Sequence, residues 1–149
     1  MLEVGSEIDI EVLFKEVLGQ EYDNYLLPPP SFTSMQAKII AYDKKEQSIK
    51  VLMPILENTL NPYNTMQGGM IVAALDNAIG PLSMLTAPSN VTRRMTTEYR
   101  KPLKAEIKNI IVEAHFVEKK GRKLFFEGSI KDEKGTLYVT ALAEQWIIK

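Results

Sequence analysis

The spacing of hydrophobic positions changes several times along the chain, and each change marks an element. In residues 7–18, Ile8, Val12, Leu13 and Val17 fall at helical spacing, with Ser6 as an N-cap and Gly19 as a stop, which predicts a short amphipathic helix. Pro28-Pro29-Pro30 then enforces an extended connector, because each ring fixes φ and removes an N–H donor. In residues 32–42 and 47–53 the period becomes two. Met35, Ala37, Ile39 and then Ile49, Val51, Met53 alternate with largely polar residues on either side of Asp43-Lys44-Lys45-Glu46, a pattern that predicts a hairpin. Residues 70–85 are almost wholly apolar or small, with no Lys, Arg or Glu, and predict a helix buried on nearly all sides. Four strand-like segments follow, at 91–100, 107–118, 123–131 and 136–148, with turns containing Gly121 and Gly135. In the second of them Ile110, Val112, Ala114 and Phe116 make one apolar face, so the sheet covers something on one side.

The elements add up to an α+β fold: an antiparallel sheet of about six strands, one long helix between the second and third strands, and an extra N-terminal helix. Residues 1–30 read as the helix and Pro-rich connector, and residues 31–149 as the main domain. A chain of 149 residues is long enough for one substantial core, and 45% apolar with 25% charged residues argues against disorder. With 18 basic and 19 acidic residues there is no field to recruit nucleic acid or anionic lipid, so neither is expected as a partner. The absence of Cys removes disulfides, thiolate metal sites and cysteine nucleophiles, and a lone His removes a multi-histidine centre. No metal or redox cofactor is expected. The N-terminus lacks a basic flank, apolar core and cleavage site, and Asp76, Asn77 and Pro81 interrupt the apolar helix, so a soluble, cytoplasmic protein is expected.

Asp76 is the residue that folding alone would not choose. It sits mid-helix with Val72, Ala73, Ile79 and Gly80 one turn away, where a buried bare charge is costly. At the start of the same helix, Gly68-Gly69 leaves backbone N–H groups that can meet an electron-rich oxygen at close range, with the Gln67 amide beside them and the turn-forming Asn61-Pro62-Tyr63-Asn64 before them. Donors at one end and a carboxylate further on point to chemistry at a carbonyl. His115 alternates with the apolar set and reads as a solvated strand residue.

An Asn, then a polar residue followed by Gly-Gly, a hydrophobic helix with one Asp, and a strand ending near Tyr99-Arg100-Lys101-Pro102 together resemble a hot dog fold acyl-CoA thioesterase of the PaaI-like, phenylacetate-pathway type. The resemblance runs from about Ser31 onward and implies a sheet wrapped around the central helix. It implies Asp76 as general base on water or as nucleophile at the thioester carbon, and Gly68 N–H as the group polarising the carbonyl. Gln67 stands where the family usually has His, and Gln donates a hydrogen bond but does not titrate. By the same likeness Asn61 places substrate or water, Thr92 orients water, and Gly69 lies against the substrate. Arg93 and Arg94 are the first candidates for the coenzyme A phosphates, ahead of Arg100, Lys101 and Lys104. Coenzyme A is then part of the substrate and not a cofactor. Two other functions stay open: an acyl-CoA-binding hot dog protein without turnover, and a hot dog hydratase or dehydratase. Gln67 and Asp76 are nine residues apart, roughly 13 Å along a helix and on opposite sides of it. A two-fold partner bringing its own Asp76 to this subunit's Gly68 resolves the separation, so a homodimer with two composite sites is expected, paired further into a tetramer as in similar thioesterases. Phe32, Met84 and the N-terminal helix are the candidates for limiting the acyl group.

Overall fold

The computed structural model describes residues 5–148. Helix α1 (Ile10–Leu18) is followed by a 3₁₀ turn, α2 (Pro30–Ser34), the hairpin β1 (Lys38–Asp43) and β2 (Ser48–Pro54), and the central helix α3 (Gly68–Thr86). Strands β3 (Asn90–Tyr99), β4 (Asn109–Lys120), β5 (Lys123–Lys131) and β6 (Leu137–Ile147) complete the chain. All six strands form one antiparallel sheet in the order β1-β2-β4-β5-β6-β3, curled around α3, which is the hot dog fold.

The alternation seen in the sequence is what closes the sheet on the helix. Ile110, Val112 and Ala114 of β4, Ile130 of β5 and Val139 of β6 face Leu75, Ile79 and Leu82 of α3 in one buried cluster. Each Val, Leu or Ile side chain among them contributes about 1.5–3 kcal/mol on burial. Gly128 of β5 makes the closest approach possible, because a Cβ there would stand 3.2 Å from Leu75 Cδ2 and 3.5 Å from Ile79 Cδ1. The β4–β5 turn passes through Gly121 at φ +61°, a left-handed conformation that suits glycine.

Three expectations change. Helix α1 begins at Ile10 and not at residue 7, because Asp9 supplies the cap: its Oδ1 accepts from the N–H groups of Glu11 at 2.9 Å and Val12 at 3.3 Å, a role the sequence suggested for Ser6. The strand expected from residue 32 starts only at Lys38, since Pro30 at the first helical position initiates α2 and turns Phe32 into the core. Helix α3 is not buried on nearly all sides. Gly69, Ala73, Asp76, Asn77, Gly80 and Met84 form an open stripe at helical spacing, so apart from Asp76 the face carries no charge although it is not enclosed. By length and composition α3 could cross a membrane, but half of it is buried inside the sheet, the position of a core helix.

The two sheet edges differ. Ile8 N–H donates to Ile39 O at 2.7 Å and partly covers β1, whereas among the described residues β3 has a neighbour, β6, on one side alone. Leu13 and Phe14 of α1 are buried in the same cluster as the α3 face.

Candidate active site

Two groups of candidate functional residues lie at different places along α3. At its start, Gln67 is the N-cap, with its N–H bound to Thr59 O at 2.8 Å and its carbonyl accepting the first intrahelical bond from Ile71 N–H at 3.0 Å. The N–H groups of Gly68, Gly69 and Met70 precede that bond and gather the positive end of the helix dipole. The Gln67 side chain is exposed and makes no capping bond. Tyr99 OH donates to Gly68 O at 3.0 Å, and a Cβ on Gly68 would stand 3.3 Å from that hydroxyl, so glycine keeps the helix entrance accessible. Met66, Gly68, Ile71, Tyr99 and Pro102 line a cavity of about 440 Å³ here. Lys101 borders both this cavity and an adjoining groove of about 890 Å³ that carries Lys104, Lys108 and Lys134.

Asn61 lies on the loop leading to this end. Its Oδ1 accepts from the N–H groups of Tyr63 at 3.0 Å and Thr65 at 3.1 Å, and its Nδ2 donates to Thr65 Oγ1 at 2.8 Å. The side chain holds the turn that delivers Gln67.

The second group surrounds Asp76, which is exposed on the open stripe of α3 and not buried as its apolar sequence neighbours implied. Thr92 Oγ1 of β3 donates to Asp76 Oδ1 at 2.7 Å. A bulge makes this contact possible. In the β3–β6 pairing Thr92 is opposite Gln145 and Arg94 opposite Glu144, leaving Arg93 as the extra residue. Since side chains alternate with a period of two, that one inserted residue turns Thr92 onto the helix-facing side, which a regular strand would have given to Arg93. Arg93 instead lies over the Trp146 ring, 4.2 Å from its centroid. Asp76, Thr92, Gly80, Met84 and Phe14 line a cavity of about 350 Å³. Its wall is tied in place by Asn77, whose Oδ1 accepts from Ser31 Oγ at 3.1 Å and whose Nδ2 donates to Ser31 O at 3.3 Å.

Asp76 and Thr92 are therefore together, with Arg93 and Arg94 beside them on the exposed edge strand. Gln67, Gly68, Gly69 and Asn61 are grouped at the other end of the helix. Eight residues separate Gly68 from Asp76, about 12 Å along the axis, and the two line separate cavities.

Two participants are not evident from the sequence reading. Tyr99 was part of a recognisable strand end, but its hydroxyl over Gly68 depends on the tertiary fold. Gln145 had a visible signal: it is the polar member of the β6 row Val139, Ala141, Ala143 and Ile147. It is buried, its Oε1 lies 3.1 Å from Thr92 Oγ1, and its Nε2 has no partner among the described residues. An unpaired buried donor costs about 1–3 kcal/mol.

Away from both groups, partial burial pushes the Asp132 carboxyl up, but the Thr136 N–H, the Tyr138 hydroxyl and the Lys134 N–H outweigh it and hold Asp132 below its ordinary value. Burial and the neighbouring Asp132 raise Tyr138 in turn. Among the described residues no cluster of three or more His, Cys, Asp or Glu side chains is placed to hold a metal.

Residues 63–139 match the family model described as the thioesterase superfamily. No curated protein matches the chain. Among solved structures, a phenylacetic acid degradation-related protein from Ralstonia eutropha JMP134 superposes with a TM-score of 0.76 at 22% identity, over 91% of this chain and 98% of that one. The PaaI protein of the Escherichia coli phenylacetic acid degradation operon gives 0.77 at 15% identity, over 95% and 97%. A hypothetical thioesterase protein from Streptococcus pneumoniae TIGR4, solved with coenzyme A, gives 0.69 at 16%, over 75% and 85%. At these identities the likeness is one of fold.

Proposed function

Because the chain belongs to the thioesterase superfamily, we propose that it hydrolyses an acyl-CoA thioester to the free acid and coenzyme A, at a site shared between two subunits. The observation that carries this is the Asp76–Thr92 pair, 2.7 Å apart and open to solvent on one subunit, on and beside an edge strand that has no second neighbour among the described residues. Gly68, the donor such a carboxylate would need opposite it, lies about 12 Å away on the same helix. A two-fold partner pairing along β3 and the open α3 stripe would bring its Asp76 to this Gly68 and close two identical sites. A dimer of such dimers is the further assembly proposed.

In this arrangement the thioester carbonyl oxygen takes the Gly68 N–H, with the Gln67 amide as a second donor, and the helix dipole favours the negative charge that builds on that oxygen. Asp76 accepts the proton of a water whose oxygen attacks the acyl carbon. Alternatively Asp76 attacks that carbon itself and water resolves the acyl-enzyme. Thr92 orients the carboxylate. Asn61 acts by holding the loop that places Gln67, and Gly69 leaves room for the thioester. For the coenzyme A phosphates, Arg93 and Arg94 flank the Asp76 end, while Lys101 and Lys104 lead from the Gly68 cavity into the larger groove.

Gln67 favours a second reading, binding of acyl-CoA without turnover, since it cannot transfer a proton. Hydration of an enoyl thioester is less well supported: His115, the single histidine, lies on the outer face of β4 with its Nε2 2.9 Å from Glu127 Oε2. A panel of acyl-CoA substrates with thiol detection on wild type and Asp76→Asn separates these readings. Thiol release by wild type that is lost in Asp76→Asn supports hydrolysis. Binding without thiol release supports the binding protein, and undiminished turnover in Asp76→Asn removes Asp76 from the mechanism.

A further inference from the structure

The helix-facing row of β6 runs Val139, Ala141, Ala143, Gln145 and Ile147, and Gln145 is the one member that packing does not explain. It is 1% exposed with its Nε2 unpartnered. A methionine, of similar length, would fill the position and leave nothing unsatisfied. What the amide adds is its contact with Thr92. Thr92 Oγ1 stands 2.7 Å from Asp76 Oδ1 and 3.1 Å from Gln145 Oε1, between two acceptors, yet a threonine hydroxyl carries a single proton. While Asp76 is a carboxylate, the shorter, charge-assisted bond holds that proton. Once Asp76 has taken a proton it can donate to Thr92, and Gln145 Oε1 then gives the Thr92 proton another oxygen to turn to.

Resting on the hydrolytic reading above, we infer that Gln145 is a positioning residue for Asp76 that acts through Thr92, receiving the Thr92 hydrogen bond whenever Asp76 is protonated. In the general-base step the water oxygen bonds to the acyl carbon and the water proton passes to Asp76. Asp76 O–H then donates to Thr92 Oγ1, and Thr92 donates to Gln145 Oε1. As the tetrahedral intermediate collapses, the C–S electron pair leaves with sulfur, the thiolate takes the proton from Asp76, and the Thr92 hydroxyl turns back to the carboxylate. The exchange needs rotation of one hydroxyl and no displacement of heavy atoms, so the carboxylate keeps its place through the cycle. Asp76 is the one charged residue of α3, and no other residue lining its cavity titrates. The charged groups on the adjoining strands are Arg93, Arg94 and Glu98 of β3 and Glu144 of β6, while α1 and α2 present Phe14 and Ser31.

The test is steady-state hydrolysis and thermal unfolding of the full chain carrying Gln145→Met, with Gln145→Leu as a second apolar variant. The expected result is a Tm equal to or above that of wild type, KM within about twofold, and kcat lower by about tenfold, the worth of one hydrogen bond. In a Thr92→Val background the same substitution should cost nothing further, because the group through which it acts is gone. An unchanged kcat, a change confined to KM, a joint fall of Tm and kcat, or an equal loss in the Thr92→Val background would each overturn the inference. Asp76→Asn in the same assays keeps the two levels apart. If it retains turnover, the hydrolytic reading itself fails; if it is inactive while Gln145→Met matches wild type, the role of Gln145 alone fails.

Discussion

Gly68→Ala tests the proposed carbonyl-polarising role of Gly68 separately from the stability of the fold. Gly68 is helical and does not have a positive φ, so alanine is conformationally compatible and helix propensity favours it by up to about 1 kcal/mol. The added Cβ would meet one neighbour, the Tyr99 hydroxyl at 3.3 Å, the far end of an exposed side chain that can give by a few tenths of an ångström. Stability should therefore change by less than about 1 kcal/mol. Under the proposed mechanism activity should change far more, because a methyl group at the helix entrance crowds the approach of a carbonyl oxygen to the Gly68 N–H. Loss of one such donor costs about 2.7–4 kcal/mol, or about 10²–10³ in kcat. The assay is thiol release from the best acyl-CoA substrate, with Tm measured in parallel. Tyr99→Phe in combination removes the hydroxyl contact and should leave the loss unchanged. Gly68→Ala with wild-type turnover would refute the role of this N–H, and recovery in the double variant would show that the loss came from crowding against Tyr99.

Two predictions concern the frame of the site. Gly128→Ala places a Cβ 3.2 Å from Leu75 Cδ2 across the helix–sheet interface, and chemical denaturation should show a loss of about 1–3 kcal/mol from overpacking. Asp132→Ala removes the acceptor that ties Lys134, Thr136 and Tyr138 into the β5–β6 turn. Because the folded Asp132 carboxyl is held below its ordinary value, its contribution is complete above the usual carboxylate range and disappears as pH falls through the folded value. The Tm gap between wild type and Asp132→Ala should thus be widest near neutrality and close in acid.

Much of the architecture was legible because strand alternation is a local signal that burial rewards directly. Ile110, Val112 and Ala114 mark the inner face of β4 in sequence and in structure, and β5 spans the expected 123–131. Phe32 was less legible: it lies just before the alternation of Met35, Ala37 and Ile39 but out of phase with it, and the prolines before it start a helical turn. The setting of Asp76 was misread for a related reason. Small residues look alike whether they are enclosed by a sheet or left open on a helix face, and only the sheet's reach decides between them. The register at Thr92 was out of reach, because the Arg93 bulge is set by how β3 pairs with β6 over its whole length. Gln145 was within reach, as a polar residue on an otherwise apolar row.

The shared site is tested most directly by mixing two inactive variants, Gln67→Ala/Gly68→Pro and Asp76→Ala, by co-refolding. Each hybrid dimer would carry one site in which an intact Gly68 faces an intact Asp76 from its partner, and one site with both halves broken. Random mixing makes about half the dimers hybrid, so about a quarter of all sites should regain thioesterase activity. Confirmed hybrids that remain inactive, with both parent variants folded, would place the whole site within a single subunit and contradict the account.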